Sequence, residues 1–225
     1  MELTLPEDKT DRINFILSLI IRLSIVIALV IEILIGRWTP FFASILAFFL
    51  TFLPAIIEKN YKISLPSEFE ILIIIFIYAS IFLGEVRGYY TRFWWWDAIL
   101  HWTSGMILGF IGFIILYVLF KNDLIHTRPI ILVIFSFSFA MAIGAIWEIF
   151  EFFMDNTFGL NMQKSGLVDT MWDLIVDAVG ALIASIAGYQ YIKKVETPIF
   201  YRLIQRFTKA NPAYFEEKEQ YRSEE

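Results

Sequence analysis

Uninterrupted apolar runs of about 20 residues recur along nearly the whole chain, a pattern that leaves few folds open. A soluble core cannot bury so many of them, whereas roughly 20 apolar residues are what one helix needs to cross a hydrocarbon layer about 30 Å thick. The runs are continuous rather than alternating with period two, which argues against a transmembrane β-barrel. Of 225 residues, 58% are hydrophobic and 18% charged, the latter below the roughly 25% of soluble domains. The sequence therefore predicts an all-α, polytopic integral membrane protein, multi-pass in the cell membrane.

Six transmembrane helices are expected at about 13–35, 38–57, 69–84, 94–119, 129–153 and 171–192, forming one membrane domain over 1–192. Gly36-Arg37-Trp38-Thr39-Pro40 supplies a tight turn between the first two. The third is short for the bilayer core, so it is expected to extend through Glu85 or to tilt little. The acidic N-terminus up to Asp11 lacks the basic region and small-residue cleavage site of a signal peptide, so the first run is expected to be kept as an anchor. The absence of Cys excludes disulfide and thiolate chemistry. No soluble basic domain is present to bind nucleic acid.

Lys and Arg set the expected orientation. One side would carry Lys9, Arg12, Lys59, Lys62, Lys121, Arg128, Lys193, Lys194, Arg202, Arg206 and Lys209; the other only Arg37, Arg87, Arg92 and Lys164. Eleven against four predicts cytoplasmic N- and C-termini. The tail, 193–225, contains an amphipathic helix at about 198–209, with Ile199, Phe200, Leu203, Ile204 and Phe207 on one face, a pattern suited to the inner membrane surface. From Asn211 onward the chain is acidic and reads as disordered.

Against this apolar background, three spans carry acids. Asp97 and His101 begin the fourth, Glu148 and Glu151 end the fifth, and Asp173 and Asp177 begin the sixth. An ionisable group in hydrocarbon costs about 2.5–3.5 kcal/mol on insertion scales, so such residues face a protein interior or a water-filled cavity. In the expected orientation all three pairs fall in the outer half of the bilayer, with His101, Glu148 and Asp177 each roughly 10 Å below a helix end. Residues four apart share a helix face, so Asp97 pairs with His101, and Asp169, Asp173 and Asp177 form a stripe. Converging carboxylates cannot all remain ionised in low dielectric; they share protons, pair with cations or bind a metal. One imidazole among several carboxylates suits a hard or borderline divalent ion, Mg or Mn ahead of Zn. Dinuclear iron bundles need two Glu-x-x-His motifs, and the chain has none.

Trp96-Asp97-x3-His101-x2-Ser104-Gly105 lines up with Trp172-Asp173-x3-Asp177-x2-Gly180-Ala181, pointing to a duplicated helical hairpin, spans three–four and five–six. Gly105, Gly109 and Gly112 on one helix, and Gly180, Ala184 and Gly188 on the other, form ridges that let helices approach closely. The aromatic stretch Tyr89-Tyr90 and Phe93 to Trp96 reads as an interfacial belt, and His126 as a surface residue. Arg22 and Glu32, inside the first span and ten apart, each need a partner elsewhere; Arg22 is either structural or directed to a lipid phosphate. Ser104 beside His101 lacks attack geometry and an oxyanion hole for nucleophilic catalysis. The Asp-rich pair of membrane prenyltransferases and the signature of phosphatidyl transferases are incomplete or missing.

Trp95-Trp96-Asp97-x3-His101-x2-Ser104-Gly105-x3-Gly109, then Glu148-x2-Glu151 and Asp169-Thr170-x2-Trp172-Asp173-x3-Asp177-x2-Gly180-Ala181, resemble the YjdF-like inner-membrane proteins, a family of unknown function. More loosely, the Asp-x3-His, Glu and Asp-x3-Gly elements are similar to VanZ-like membrane proteins, associated with glycopeptide resistance, although the Asn before their last Gly is not apparent.

The expectation is a polar site open to the outer leaflet that binds or chemically modifies a membrane lipid or lipid-linked phosphate. Asp173, Asp177 and Glu148 would hold a divalent cation, His101 and Glu151 would handle protons, and Asp97 would orient His101. Arg87 or Arg92 would pair with a phosphate. As an enzyme it would be a metal-dependent membrane hydrolase or transferase. The alternatives are an ion- or proton-coupled transporter and a structural protein with a satisfied polar network.

Overall fold

The computed structural model describes residues 8–195 and 198–215, and every regular element among them is helical. The helices are α1 (Lys9–Leu34), α2 (Trp38–Leu50), α3 (Leu53–Tyr61), α4 (Ser67–Ile77), α5 (Tyr89–Arg92), α6 (Trp96–Lys121), α7 (Pro129–Phe158), α8 (Leu167–Ile192) and α9 (Pro198–Ala210), with a π-helical stretch, Tyr78–Val86, continuing α4. Among the described residues, six spans are long and apolar enough to cross a membrane: Lys9–Leu34, Trp38–Tyr61, Ser67–Val86, Trp96–Lys121, Pro129–Phe158 and Leu167–Ile192. The chain is thus an all-helical, multi-pass membrane protein.

The ends of these spans follow local chemistry. Asp8 caps α1 by accepting from the backbone N–H groups of Thr10 and Asp11, which starts this helix before the apolar run itself begins. The second span breaks between α2 and α3 near Pro54, which has no N–H to continue the helical ladder. The third reaches Val86 because its last two turns widen into the π-helix. The fifth runs to Phe158 and stops at Gly159, whose φ of +65° closes the helix in the left-handed region.

The chain forms two compact units, the first reaching Trp96 and including Lys209–Asn211, the second containing Asp97–Thr208 and the chain from Pro212. In the first, Ile25, Ala28, Ala47, Phe82 and Val86 make a core among α1, α2 and the π-helix. Arg22 finds its partner here: its guanidinium donates to Thr51 Oγ1 at 3.2 Å and Thr51 O at 2.9 Å and lies over the Phe52 ring. It thus clamps the α2–α3 break.

In the second unit α6 and α8 approach through small residues. A Cβ on Gly105 would collide with the Asp177 backbone, and one on Gly180 with the Trp102 carbonyl. Gly105, Gly109, Gly180 and Gly188 therefore form the seam that brings the acid-bearing faces of α6 and α8 together, whereas Gly112 meets Phe139 of α7. In α9, Ile204 and Phe207 are buried, and Phe200 packs against Phe110 of α6. Residues 1–7 and 216–225, and the side chain of Ile199, lie outside the described residues.

Candidate functional site

Each acid-bearing pair sits on a helix of the second unit and turns inward. Asp97 and His101 occupy the first turns of α6, Glu148 and Glu151 the last turns of α7, and Asp169, Asp173 and Asp177 the first turns of α8. His101, Glu148, Glu151, Asp173 and Asp177 are all buried; Asp97 and Asp169 are half-buried.

His101 is the hub. Its Nδ1 lies 3.3 Å from Asp177 Oδ2, and its Nε2 lies 3.8 Å from Glu148 Oε1 and 4.0 Å from Asp97 Oδ1. Asp177 is further held by the Ser104 hydroxyl, which donates to Oδ1 at 3.0 Å. Glu151 accepts from the Trp147 indole N–H at 2.9 Å, one turn back on the same helix.

Glu148 differs from its neighbours. It is 4% exposed, yet neither carboxylate oxygen has a hydrogen-bond partner within 3.5 Å; the Thr170 hydroxyl and His101 are its polar neighbours. Burying a weakly paired polar group costs about 1–3 kcal/mol and a charged one more, a cost that a proton, a donor or a cation at those oxygens could each offset. Two groups have ligand atoms within 4.8 Å of one another: His101 with Glu148 and Asp173, and Asp97 with Asp169 and Asp173. Asp173 belongs to both. Such sets can close on a divalent ion by small side-chain adjustments, since oxygen and nitrogen ligands stand about 2.0–2.6 Å from the metal.

The α7–α8 connection folds over the cluster. Asp155 accepts from the backbone N–H groups of Met162 and Gln163, reversing the chain. This turn directs Lys164 Nζ onto Asp97 Oδ2 at 2.7 Å, while Gln163 Nε2 donates to Thr170 Oγ1. Deeper in the unit, Ser185 donates to Ser136 or to the Ala181 carbonyl, and Ser136 to the Gly109 carbonyl, so these hydroxyls serve helix packing.

The sequence reading singled out the residues that converge, but gave Asp169 and Lys164 no role in the site. Asp169 was visible as the first member of the i,i+4 stripe. Lys164 had no periodic signal because it acts from a loop. Gly144 was also missed: it stands one turn before Glu148, and its lack of a side chain makes room for the Asp177 carboxylate. Arg87 and Arg92 belong to the first unit, where Arg87 follows the π-helix and Arg92 ends α5.

Comparison with known proteins places the chain in a family. It belongs to DUF2238, described as "Predicted membrane protein (DUF2238)", whose model matches residues 16–194. An uncharacterized protein of Thermotoga maritima is 26% identical over 143 residues, covering 64% of this chain and 72% of that protein. No solved structure matches. The YjdF-like resemblance accords with this family, and the VanZ-like one finds no support in these comparisons.

Proposed function

We propose that this member of the DUF2238 family binds divalent cations between α6, α7 and α8 and uses them on the phosphate of a membrane lipid or lipid-linked substrate. The observation that carries the reading is Glu148: a buried carboxylate whose oxygens make no hydrogen bond within 3.5 Å, with the Thr170 hydroxyl and an imidazole nitrogen at 3.8 Å as its polar neighbours, and within ligand range of Asp173. His101, Glu148 and Asp173 would hold one ion. Asp97, Asp169 and Asp173 would hold a second, Asp173 belonging to both sets.

Paired divalent ions sharing a carboxylate stabilise attacking and leaving oxygens in phosphoryl chemistry. Asp177, held by Ser104, would fix the His101 ring and its tautomer, an outer role typical of carboxylates behind a metal-bound histidine. Lys164, beside Asp97, would supply positive charge to an incoming phosphate. Glu151 would handle protons near the cluster. A hard or borderline ion, Mg or Mn before Zn, suits a ligand set of four carboxylates and one imidazole.

The test is metal content by inductively coupled plasma mass spectrometry on detergent-purified protein, beside folded Asp173→Asn and Glu148→Gln variants. Near-stoichiometric metal in the wild type, lost in both variants, supports the reading and selects the ion for assays on lipid phosphates. A well-folded wild type that retains no metal after addition of Mg, Mn or Zn overturns it.

A further inference from the structure

A second polar site lies wholly within the first unit. A cavity of about 410 Å³ opens beside α1 and the π-helix, lined by Glu32, Arg37, Tyr78, Arg87 and Tyr89 together with apolar side chains. Its volume falls within the roughly 300–1,000 Å³ of small-molecule sites. Glu32 is 5% exposed; its Oε1 accepts from the Ser44 hydroxyl at 3.3 Å, while its Oε2 has no partner. Arg37 and Arg87 are exposed, and neither forms a salt bridge with Glu32 among the described residues.

Backbone geometry places these groups together. Gly36, at φ +72°, turns the chain just after α1 so that Arg37 faces back along the helix end. The π-helix carries Tyr78, Phe82, Leu83 and Val86 on the cavity wall and delivers Arg87 immediately after its last turn. Wide helical turns of this kind are rare and occur often at functional sites. On the facing wall Ile27, Ile31 and Ile35 follow one another at i,i+4 spacing, and each is at least half exposed. The cavity therefore combines two guanidiniums and one buried carboxylate at the end of two spans with an apolar flank along α1.

We propose that this cavity binds a phosphodiester bearing a primary ammonium group, as in the headgroup of an ethanolamine phospholipid. The phosphate would sit on Arg37 and Arg87, whose guanidiniums are suited to bidentate phosphate binding. The ammonium would donate to Glu32, supplying the donor that Oε2 lacks. A quaternary choline has no N–H to give, and a glycerol headgroup brings no positive charge to the carboxylate. The isoleucine flank fits an acyl chain lying along α1. This site shares no residue with the cation cluster, so either can fail without the other.

The full-length protein in detergent is incubated with ethanolamine, choline and glycerol phospholipids of identical chains, and retained lipid is read by native mass spectrometry. The ethanolamine lipid is expected to be retained roughly tenfold over the other two, the scale of one charge-assisted hydrogen bond. Glu32→Gln preserves shape and can keep the Ser44 contact, and it should abolish the preference. Arg87→Ala, at an exposed position, should weaken ethanolamine-lipid retention by a similar factor. Equal retention of the three lipids by the wild type, or an unchanged preference in Glu32→Gln, overturns the proposal. Soluble glycerophosphoethanolamine separates the sources: displacement of the lipid assigns recognition to the headgroup alone, and tight retention against it assigns the phospholipid.

Discussion

Gly144 on α7 stands so close to Asp177 on α8 that a Cβ there would lie 2.5 Å from the carboxylate oxygen Oδ2. This is the same oxygen that meets His101 Nδ1 at 3.3 Å. The absence of a side chain on one helix thus sets where the carboxylate of another can stand, and through it the ring at the centre of the cluster.

Gly144→Ala should therefore displace Asp177 from His101 while leaving every ligand residue in place. Overpacking of this kind costs about 1–3 kcal/mol. The variant is expected to melt lower in detergent and to bind added Mn more weakly. Unchanged melting and unchanged Mn affinity would show that α7 and α8 part easily at this level.

The seam between α6 and α8 is less forgiving. A Cβ on Gly180 meets the Trp102 carbonyl, a backbone atom that cannot rotate away, and one on Gly105 meets the Asp177 backbone. Gly180→Val should lower stability by more than Gly144→Ala does. Size-exclusion profiles and thermal melts of the two variants, measured side by side, check the order.

Arg22 tests a different part of the molecule. It holds Thr51 through its hydroxyl and its carbonyl where the second span breaks. Hydrogen bonds to a charged group contribute about 1.5–3 kcal/mol each. Arg22→Met should lower the melting temperature of the whole protein without changing metal content, because all of the proposed cation ligands lie in the second unit. Loss of metal in this variant would contradict that separation.

Much of this architecture was legible in the chain because lipid imposes simple rules. Runs of apolar residues declare spans, and acids placed at i,i+4 within them declare a shared inward face, so Asp97, His101, Asp173 and Asp177 could be grouped before any coordinates. The glycine ridges likewise announced close packing. What the sequence hid was set by irregular backbone. Nothing in residues 78–86 signals a π-helix, yet it extends the third span to Val86 and lines the cavity beside Glu32. Lys164 reaches Asp97 only because Asp155 reverses the intervening loop. For Asp177, spacing shows that it faces inward, but not that the Ser104 hydroxyl donates to its Oδ1.

Glu148 provides the sharpest test of the cation reading, because charge and occupancy act on stability with opposite sign. Without metal, a buried carboxylate with no hydrogen bond within 3.5 Å is a cost, and Glu148→Gln removes the charge while keeping the volume. In the presence of chelator the variant should therefore melt at or above the wild type. With Mn added, the wild type gains RT ln(1 + [Mn]/Kd), about 2.7 kcal/mol at a hundredfold excess over Kd, and the variant gains little. The two melting curves should cross as Mn is titrated. Carboxylate and imidazole ligands must lose their protons to bind the ion, so the wild type's gain should shrink as pH is lowered. Parallel curves at all Mn concentrations, or a gain that grows on acidification, would contradict cation binding through Glu148.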